Sequence, residues 1–118
     1  MAWVATGLAA LIGALHGYIL VMEMRLWETP RVRRIFGTTP EFAALTKALA
    51  ANQGLYNGFL AAGLFWGIWQ GAAGRDVLAF FLICVVVAGV FGAATVSRRI
   101  FFIQALPAIL ALVALAFG

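Results

Sequence analysis

Long apolar runs dominate the pattern of hydrophobic and polar positions along this chain. Short polar connections separate four such runs, at residues 3–22, 42–69, 77–96 and 100–117. A membrane-spanning helix needs roughly 20 apolar residues at a rise of about 1.5 Å per residue. The pattern therefore predicts an all-α fold: a bundle of four transmembrane helices that forms one integral membrane domain over residues 1–118, with an interfacial segment at about residues 23–40.

Local signals predict where the first span ends. Pro30 is expected to stop the helix near Thr29, because proline disfavours helical geometry in the residue before it. Residues 31–37 then predict a segment that lies in the membrane interface, with its arginines toward the headgroups. Three of its apolar side chains are expected to face lipid: Val32, Ile35 and Phe36.

Similar signals mark the later spans. Thr39, Pro40 and Glu41 supply a hydroxyl cap, a proline at the first helical position and an acid at the positive end of the helix dipole, which predicts a helix start. Residues 71–74 predict a short outer turn. Pro107 cannot donate a backbone hydrogen bond and clashes with the carbonyl of Ile103, so a kink is expected in the fourth helix.

Composition agrees with a membrane protein. The 118 residues are 65% hydrophobic and 10% charged, whereas soluble domains carry about 25% charged residues. The first run has no charged segment before it and is longer than the usual core of about 7–15 residues in a signal peptide, so we expect a retained helix.

The distribution of basic residues predicts an orientation. Arginines cluster in the first and third connections: Arg25, Arg31, Arg33, Arg34, Arg98 and Arg99. The positive-inside bias places both connections in the cytoplasm and both termini outside. Tryptophans would then lie at the two interfaces, Trp3, Trp66 and Trp69 at the outer one and Trp27 at the inner one.

The net charge of +4 therefore needs no nucleic-acid partner. The expected partners are membrane lipids, whose anionic headgroups would attract Arg31, Arg33 and Arg34 by about 1 kcal/mol each. Cys84 lies alone in an apolar run, which is typical of a small packing residue.

Polar residues inside the apolar runs are the candidate functional site. Such groups are costly at membrane depth unless they find partners. The candidate pocket residues are His16, Glu23, Lys47, Asn52, Gln53, Tyr56, Asn57 and Gln104. They fall in the cytoplasmic halves of the predicted spans, whereas the outer halves contribute only Thr6 and Gln70. The pattern predicts a polar recess that opens to the cytoplasm under an apolar outer cap.

Each member also has a simpler interpretation. His16 can hydrogen-bond a neighbouring helix, hold a ligand or proton, or ligate a metal. One histidine without a second ligand at metal spacing does not indicate a structural metal site. Glu23 can be a solvated acid that pairs with Arg25 or Lys47. Gln53 and Asn57 can simply join helices. The residues alone assign no catalytic group, metal or cofactor.

Small residues at helical spacing predict where helices approach closely. They form stripes on three spans: Gly13 and Gly17; Ala50, Gly54 and Gly58; and Gly89 and Ala93. Such stripes are typical of helix packing in membranes. Some of them can instead mediate self-association, so a homo-oligomer is a further expectation.

Several motifs carry a resemblance to a known family. They are HGYILVMEM (16–24), Trp27, Pro30-Arg31, Phe36-Gly37, Thr46-Lys47, LAANQGLYNGFLAAG (49–63), Gln104 and Pro107-Ala108. Over nearly its whole length the chain resembles a family of small bacterial integral membrane proteins that is catalogued as a domain of unknown function. This resemblance implies a four-span protein of the bacterial cytoplasmic (inner) membrane. A fainter likeness is to the membrane-associated eicosanoid and glutathione metabolism proteins, four-span enzymes whose acidic and arginine motif is not reproduced here.

Three functions fit the sequence. The first is a membrane protein that binds and transports a small polar molecule, an ion or a lipid headgroup, with His16 and Glu23 as its proton-sensitive members. The second is a membrane-embedded enzyme that takes a lipophilic substrate from the inner leaflet and uses Tyr56 or His16 as the proton donor. The third is a structural subunit without a ligand.

Overall fold

A computed structural model describes residues 2–118 of the protein, and these residues form helices and no β-strand. The six α-helices are α1 (Ala2–Arg25), α2 (Pro30–Phe36), α3 (Pro40–Leu45), α4 (Lys47–Trp69), α5 (Arg75–Thr95) and α6 (Leu106–Ala116). A 3-10 turn (Gly71–Gly74) precedes α5, and a π-helical turn (Phe101–Ala105) precedes α6. The prediction of an all-α fold is confirmed.

The prediction of four spans is supported for only two helices of the described chain. By length and composition, α1 and the helical stretch Gly71–Thr95 are apolar enough to cross a membrane. The 23 residues of α4 include Lys47, Asn52, Gln53 and Asn57, and these polar groups lower its hydropathy. The stretch Phe101–Ala116 is apolar but short. By length and composition two helices are thus compatible with a membrane association, but the structure does not support a four-span bundle.

The connection between α1 and α3 differs from its predicted form. The first helix ends at Arg25 instead of near Thr29, and the Thr29 side chain caps α2 by accepting from the Val32 backbone N–H at 3.4 Å. Gly37 ends α2 in the left-handed conformation (φ 70°) that glycine adopts without a steric penalty. Val32 is 2% exposed, so the expectation that it faces lipid is wrong. Its short helix turns that side inward and leaves Ile35 and Phe36 exposed.

The predicted second span is broken near its start. The Thr39 hydroxyl accepts from the Phe42 backbone N–H at 3.1 Å with Pro40 next to it, which confirms the predicted helix start. However, α3 ends at Leu45 and α4 begins at Lys47. The intervening Thr46 donates its hydroxyl hydrogen to the carbonyl of Phe42 at 2.7 Å. This type of side-chain bond often bends a helix, which accounts for the break.

Two compact units make up the described chain, and the first comprises the residues up to Ala14 together with Leu60–Gly118. Its apolar core is drawn from four helices: Ala9, Ile12, Leu64, Leu78, Leu82, Val85, Ala108 and Ala111. Within this unit α5 packs along the π-helical turn and α6. At the closest approach, a Cβ atom on Gly89 would lie 2.6 Å from the backbone nitrogen of Ala105. Only glycine permits this contact.

The π-helical turn lies directly before the proline of the last helix. In this turn the backbone N–H of Leu106 donates to the carbonyl of Phe101, five residues earlier. Pro107 cannot donate a backbone hydrogen bond, so the irregular turn lies where the helical hydrogen-bond pattern is interrupted. The predicted kink at Pro107 is a separate property of the helix axis and stays a prediction. Alanines line the buried side beyond this point: Ala105, Ala108, Ala111 and Ala114.

The second unit, Leu15–Phe59, contains the end of α1, the short helices α2 and α3, and the start of α4. Here α1 and α4 run antiparallel, because Trp27 meets Thr46 whereas Leu20 meets Gly58. Gly54 lies between these two contacts. A Cβ atom at this position would be 2.8 Å from Cγ of Met24 and 3.2 Å from the Leu20 carbonyl oxygen. The glycines of α4 thus allow close packing on α1.

Candidate functional site

The most distinctive polar contact of the second unit joins α1 to α4. The Asn57 side-chain Nδ2 donates to Oε1 of Glu23 at 2.8 Å. Glu23 is 4% exposed, which is rare for a carboxyl side chain. The same Nδ2 atom also donates to the backbone carbonyl of Gln53 at 3.2 Å, one helical turn earlier. Both amide hydrogens of Asn57 are therefore used, and the side chain is fixed in orientation.

Glycine at position 54 brings these two groups within reach of each other. A Cβ atom on Gly54 would lie 3.0 Å from Cβ of Glu23, so α4 sits directly against the turn of α1 that carries the acid. Asn57 follows Gly54 by three residues and faces the same side of α4. Gly54, Gly58 and Asn57 thus form one contact surface with α1.

This arrangement corrects the simplest expectation for Glu23. A solvated acid paired with Arg25 or Lys47 would be exposed, but Glu23 is buried and its hydrogen-bond donor is a neutral amide. Lys47 instead pairs with Glu28, with Nζ 3.4 Å from Oε1. That pair is open to solvent, because the two side chains are 69% and 45% exposed. Glu23 is buried because it lies on the side of α1 that packs against α4, whereas Glu28 lies beyond the end of α1.

The other polar residues of α4 lie elsewhere on the helix surface. Asn52 and Gln53 are exposed, and Tyr56 is 60% exposed with its ring edge-on to Phe59 at 5.7 Å. The structure does not bring these three side chains together with Glu23. Their membership of a shared pocket stays a prediction.

Two further candidates are placed by their helices. His16 is 1% exposed and lies on α1, about 10 Å along the axis from Glu23 at 1.5 Å per residue. Gln104 is half-buried in the π-helical turn and belongs to the other compact unit. The common recess predicted for these residues and Asn57 stays a prediction.

The remaining small residues differ in their surroundings. Gly13 faces the ring of Phe65, whereas an added Cβ atom at Gly17 would meet nothing within 4 Å. Ala50 is 5% exposed within the second unit. Ala93 lines an open cavity of about 360 Å³ in the first unit, together with Val90, Ala94, Arg98, Phe101 and Phe102.

A second polar feature of the Leu15–Phe59 unit is a cavity of about 250 Å³. It lies where α1 ends and α4 begins, and its lining consists of Met24, Arg25, Trp27, Glu28, Thr29 and Lys47. The sequence pattern predicted only Lys47 as a site residue here. Glu28 and Lys47 are 19 residues apart, so no helical spacing connects them. The signal in the sequence that could have identified this cavity is the set of charged residues at the two ends of the connection between α1 and α4.

The indole of Trp27 is held in place at this cavity. Its Nε1 donates to the Thr46 hydroxyl oxygen at 3.1 Å, and its ring packs on Phe36 with centroids 5.0 Å apart. Thr46 in turn donates to the carbonyl of Phe42. The cavity thus has a fixed aromatic wall and a rim of charged side chains. Within residues 2–118 there is no group of three or more His, Cys, Asp or Glu side chains that could hold a metal ion.

Comparison with known proteins places the chain in a family. Residues 10–116 match the family described as "Protein of unknown function (DUF1304)". The chain belongs to this family. It is also similar to "Uncharacterized protein YpaA" of Lactococcus lactis subsp. lactis (strain IL1403), with 28% identity over 108 residues, which are 90% of this chain and 91% of that protein. No solved structure matches the chain significantly. The expected resemblance to a family of unknown function is thus confirmed, and the membership itself assigns no activity.

Proposed function

We propose that this member of the family is a four-span protein of the bacterial cytoplasmic membrane that binds a small polar molecule or ion beside Glu23 and moves it across the bilayer. The observation that carries the proposal is the buried hydrogen bond between Glu23 and Asn57. Helices can associate through amides or small residues alone. A buried carboxyl group adds a desolvation cost that packing does not require, and such groups in apolar helices commonly mark ion or substrate sites.

Four crossings are compatible with the helix lengths. The 23 residues of α4 extend about 35 Å at 1.5 Å per residue, which exceeds the hydrocarbon thickness of about 30 Å. The stretch Phe101–Ala116 is shorter and would require local thinning of the bilayer. The arginine clusters support cytoplasmic placement of the first and third connections, with both termini outside.

Membrane residence and topology can be tested directly. We expect the protein to remain in membrane pellets after alkaline carbonate extraction. In a Cys84→Ala background, single cysteines at Thr38 and Ser97 should react with a membrane-impermeant maleimide only after the cells are opened. A cysteine at Ala72 should react in intact cells. Release of the protein by carbonate, or labelling of Thr38→Cys in intact cells, would contradict this part of the proposal.

Transport can be tested with purified protein in liposomes of phosphatidylethanolamine and phosphatidylglycerol. The probes are radioactive sodium ion, methylammonium and a pH-sensitive dye trapped inside, each with and without a proton gradient. We expect flux of at least one probe above that of empty liposomes. Glu23→Gln keeps the size of the side chain and an acceptor for Asn57, but removes the charge, so we expect at least about a tenfold loss of flux.

Glu41→Gln is the matched control, because Glu41 is an exposed acid at the start of α3 and should leave flux unchanged. The wild type and Gln53→Ala must both be folded for a negative result to count. If both are folded and no probe crosses, transport of these ions is excluded. Equal flux through Glu23→Gln and the wild type would remove Glu23 from the mechanism.

A structural role without a ligand is the second candidate. It is favoured by Asn57, which uses both amide hydrogens inside the protein, on Glu23 and on the Gln53 carbonyl. In that case, changes at this pair would alter the stability of the α1–α4 contact and nothing else.

A further inference from the structure

The cavity at the junction of α1 and α4 combines charges of both signs in a small space. Arg25 and Lys47 are cationic, Glu28 is anionic, and the indole of Trp27 forms a wall. This is a different set of groups from the Glu23–Asn57 pair. A ligand that matches the cavity should carry one positive and one negative charge close together, because each would meet an opposite charge on the rim.

The ion pair on the rim is weak enough to be opened by a ligand. Lys47 Nζ and Glu28 Oε1 are 3.4 Å apart, and both side chains are largely solvated. Exposed pairs of this kind contribute little to stability. A zwitterionic ligand can therefore insert between Lys47 and Glu28. The solvated contact between these two side chains would then be replaced by two contacts with the ligand, one at each side chain.

The aromatic wall is better fixed than the charged rim. Trp27 is held by its hydrogen bond to Thr46 and by its contact with Phe36. A fixed indole face attracts cations, and an organised wall lowers the entropic cost of binding. The ammonium end of a ligand is therefore expected near Trp27 and Glu28, and the anionic end near Lys47 and Arg25.

We propose that this cavity binds a phosphoethanolamine group, an ammonium joined by a short linker to a phosphate diester. The lipid-borne form rests on the membrane residence proposed above, which would place the end of α1 at the cytoplasmic interface. There the nearby Arg31, Arg33 and Arg34 would meet the headgroup region. The soluble form of the same chemistry does not depend on membrane residence.

The test is native mass spectrometry of the full chain in detergent with equal amounts of phosphatidylethanolamine and phosphatidylglycerol. We expect the wild type to retain phosphatidylethanolamine preferentially. Glu28→Gln should lower this binding about fivefold, the size expected for one solvent-exposed charge pair, and leave phosphatidylglycerol binding unchanged. Lys47→Met should weaken both lipids. Both positions are exposed, so the variants are expected to fold.

A charge-exchanged variant, Glu28→Lys with Lys47→Glu, separates positional recognition from net charge. It preserves the total charge and the ion pair but places the cation beside Trp27, so we expect phosphatidylethanolamine binding to fall at least about fivefold. Glu41→Gln is the control acid outside the cavity and should bind as the wild type does. Wild-type binding by both Glu28→Gln and the exchanged variant would overturn the proposal.

Glycerophosphoethanolamine distinguishes the two sources of the ligand. If it displaces the bound lipid, the cavity recognises the soluble and lipid-borne forms alike. If the lipid stays bound at millimolar concentrations of the soluble compound, the lipid-borne form is the ligand. A protein that is released by carbonate yet binds glycerophosphoethanolamine in a Glu28-dependent manner would disprove the membrane proposal while supporting the cavity.

Discussion

Gly89→Ala is expected to destabilise the protein by about 3 kcal/mol, because the added methyl group would meet backbone and not a flexible side chain. The new Cβ atom would lie 2.6 Å from the nitrogen and 3.0 Å from Cα of Ala105. Relief requires α5 to move away from the π-helical turn, which would also loosen the buried contacts of α6. The measurement is the free energy of unfolding in mild detergent titrated with sodium dodecyl sulfate.

Gly17→Ala is the matched control for this prediction. Gly17 lies in the interior of α1, and an added Cβ atom there would meet nothing within 4 Å. Alanine favours the helical conformation over glycine by up to about 1 kcal/mol, so the control should be neutral or slightly more stable. Equal stability changes for the two variants would show that α5 does not approach Ala105 as closely as described.

Asn57→Leu is expected to cost about 2 kcal/mol, because it leaves the buried carboxyl group of Glu23 without its amide donor. The double variant Glu23→Leu with Asn57→Leu removes both polar groups and should recover most of this loss. The same denaturant titration measures both variants. The difference between the single and double variants gives the coupling of the two side chains.

Asn52→Leu provides the comparison on the same helix. Asn52 is an exposed asparagine of α4 without a described contact to α1, so the change should alter stability little. If Asn57→Leu is as stable as Asn52→Leu, the bond to Glu23 contributes nothing to the fold. Additive effects in the double variant would likewise show that Glu23 and Asn57 are not coupled.

Local features of the fold were predictable because they depend on neighbouring residues. Thr39 and Pro40 mark the start of α3, and the turn at Gly71–Gly74 follows from its glycines. The break at Thr46 was not predicted, because a threonine is also compatible with an unbroken helix and its type does not show that its hydroxyl bonds the Phe42 carbonyl. Val32 was assigned to the wrong environment for a related reason. An apolar side chain suits lipid and protein equally well, so its type does not show which one surrounds it.

The sequence identified residues of the candidate site better than it identified the contacts between them. Glu23 and Asn57 both stood out as polar groups in apolar runs, but their separation of 34 residues gave no indication that they meet. Gln53 and Asn57 lie one helical turn apart in the sequence, yet the Gln53 side chain is exposed and only its backbone carbonyl joins the contact. Glu28 was missed, because an acid near a helix end is ordinarily solvated and carries no distinctive pattern.

The four buried alanines at every third position from Ala105 to Ala114 have a consequence for how α6 can evolve. Three residues turn an α-helix by about 300°, so this row drifts by about 60° at each step and winds around the helix instead of running straight. Ala105 meets Gly89 of α5, and Ala108 and Ala111 lie in the apolar core of the same unit, so this winding row presents only small side chains to its neighbours. Variation should therefore be free at outward positions such as Leu110 and Val113, and confined to the smallest residues along the spiral.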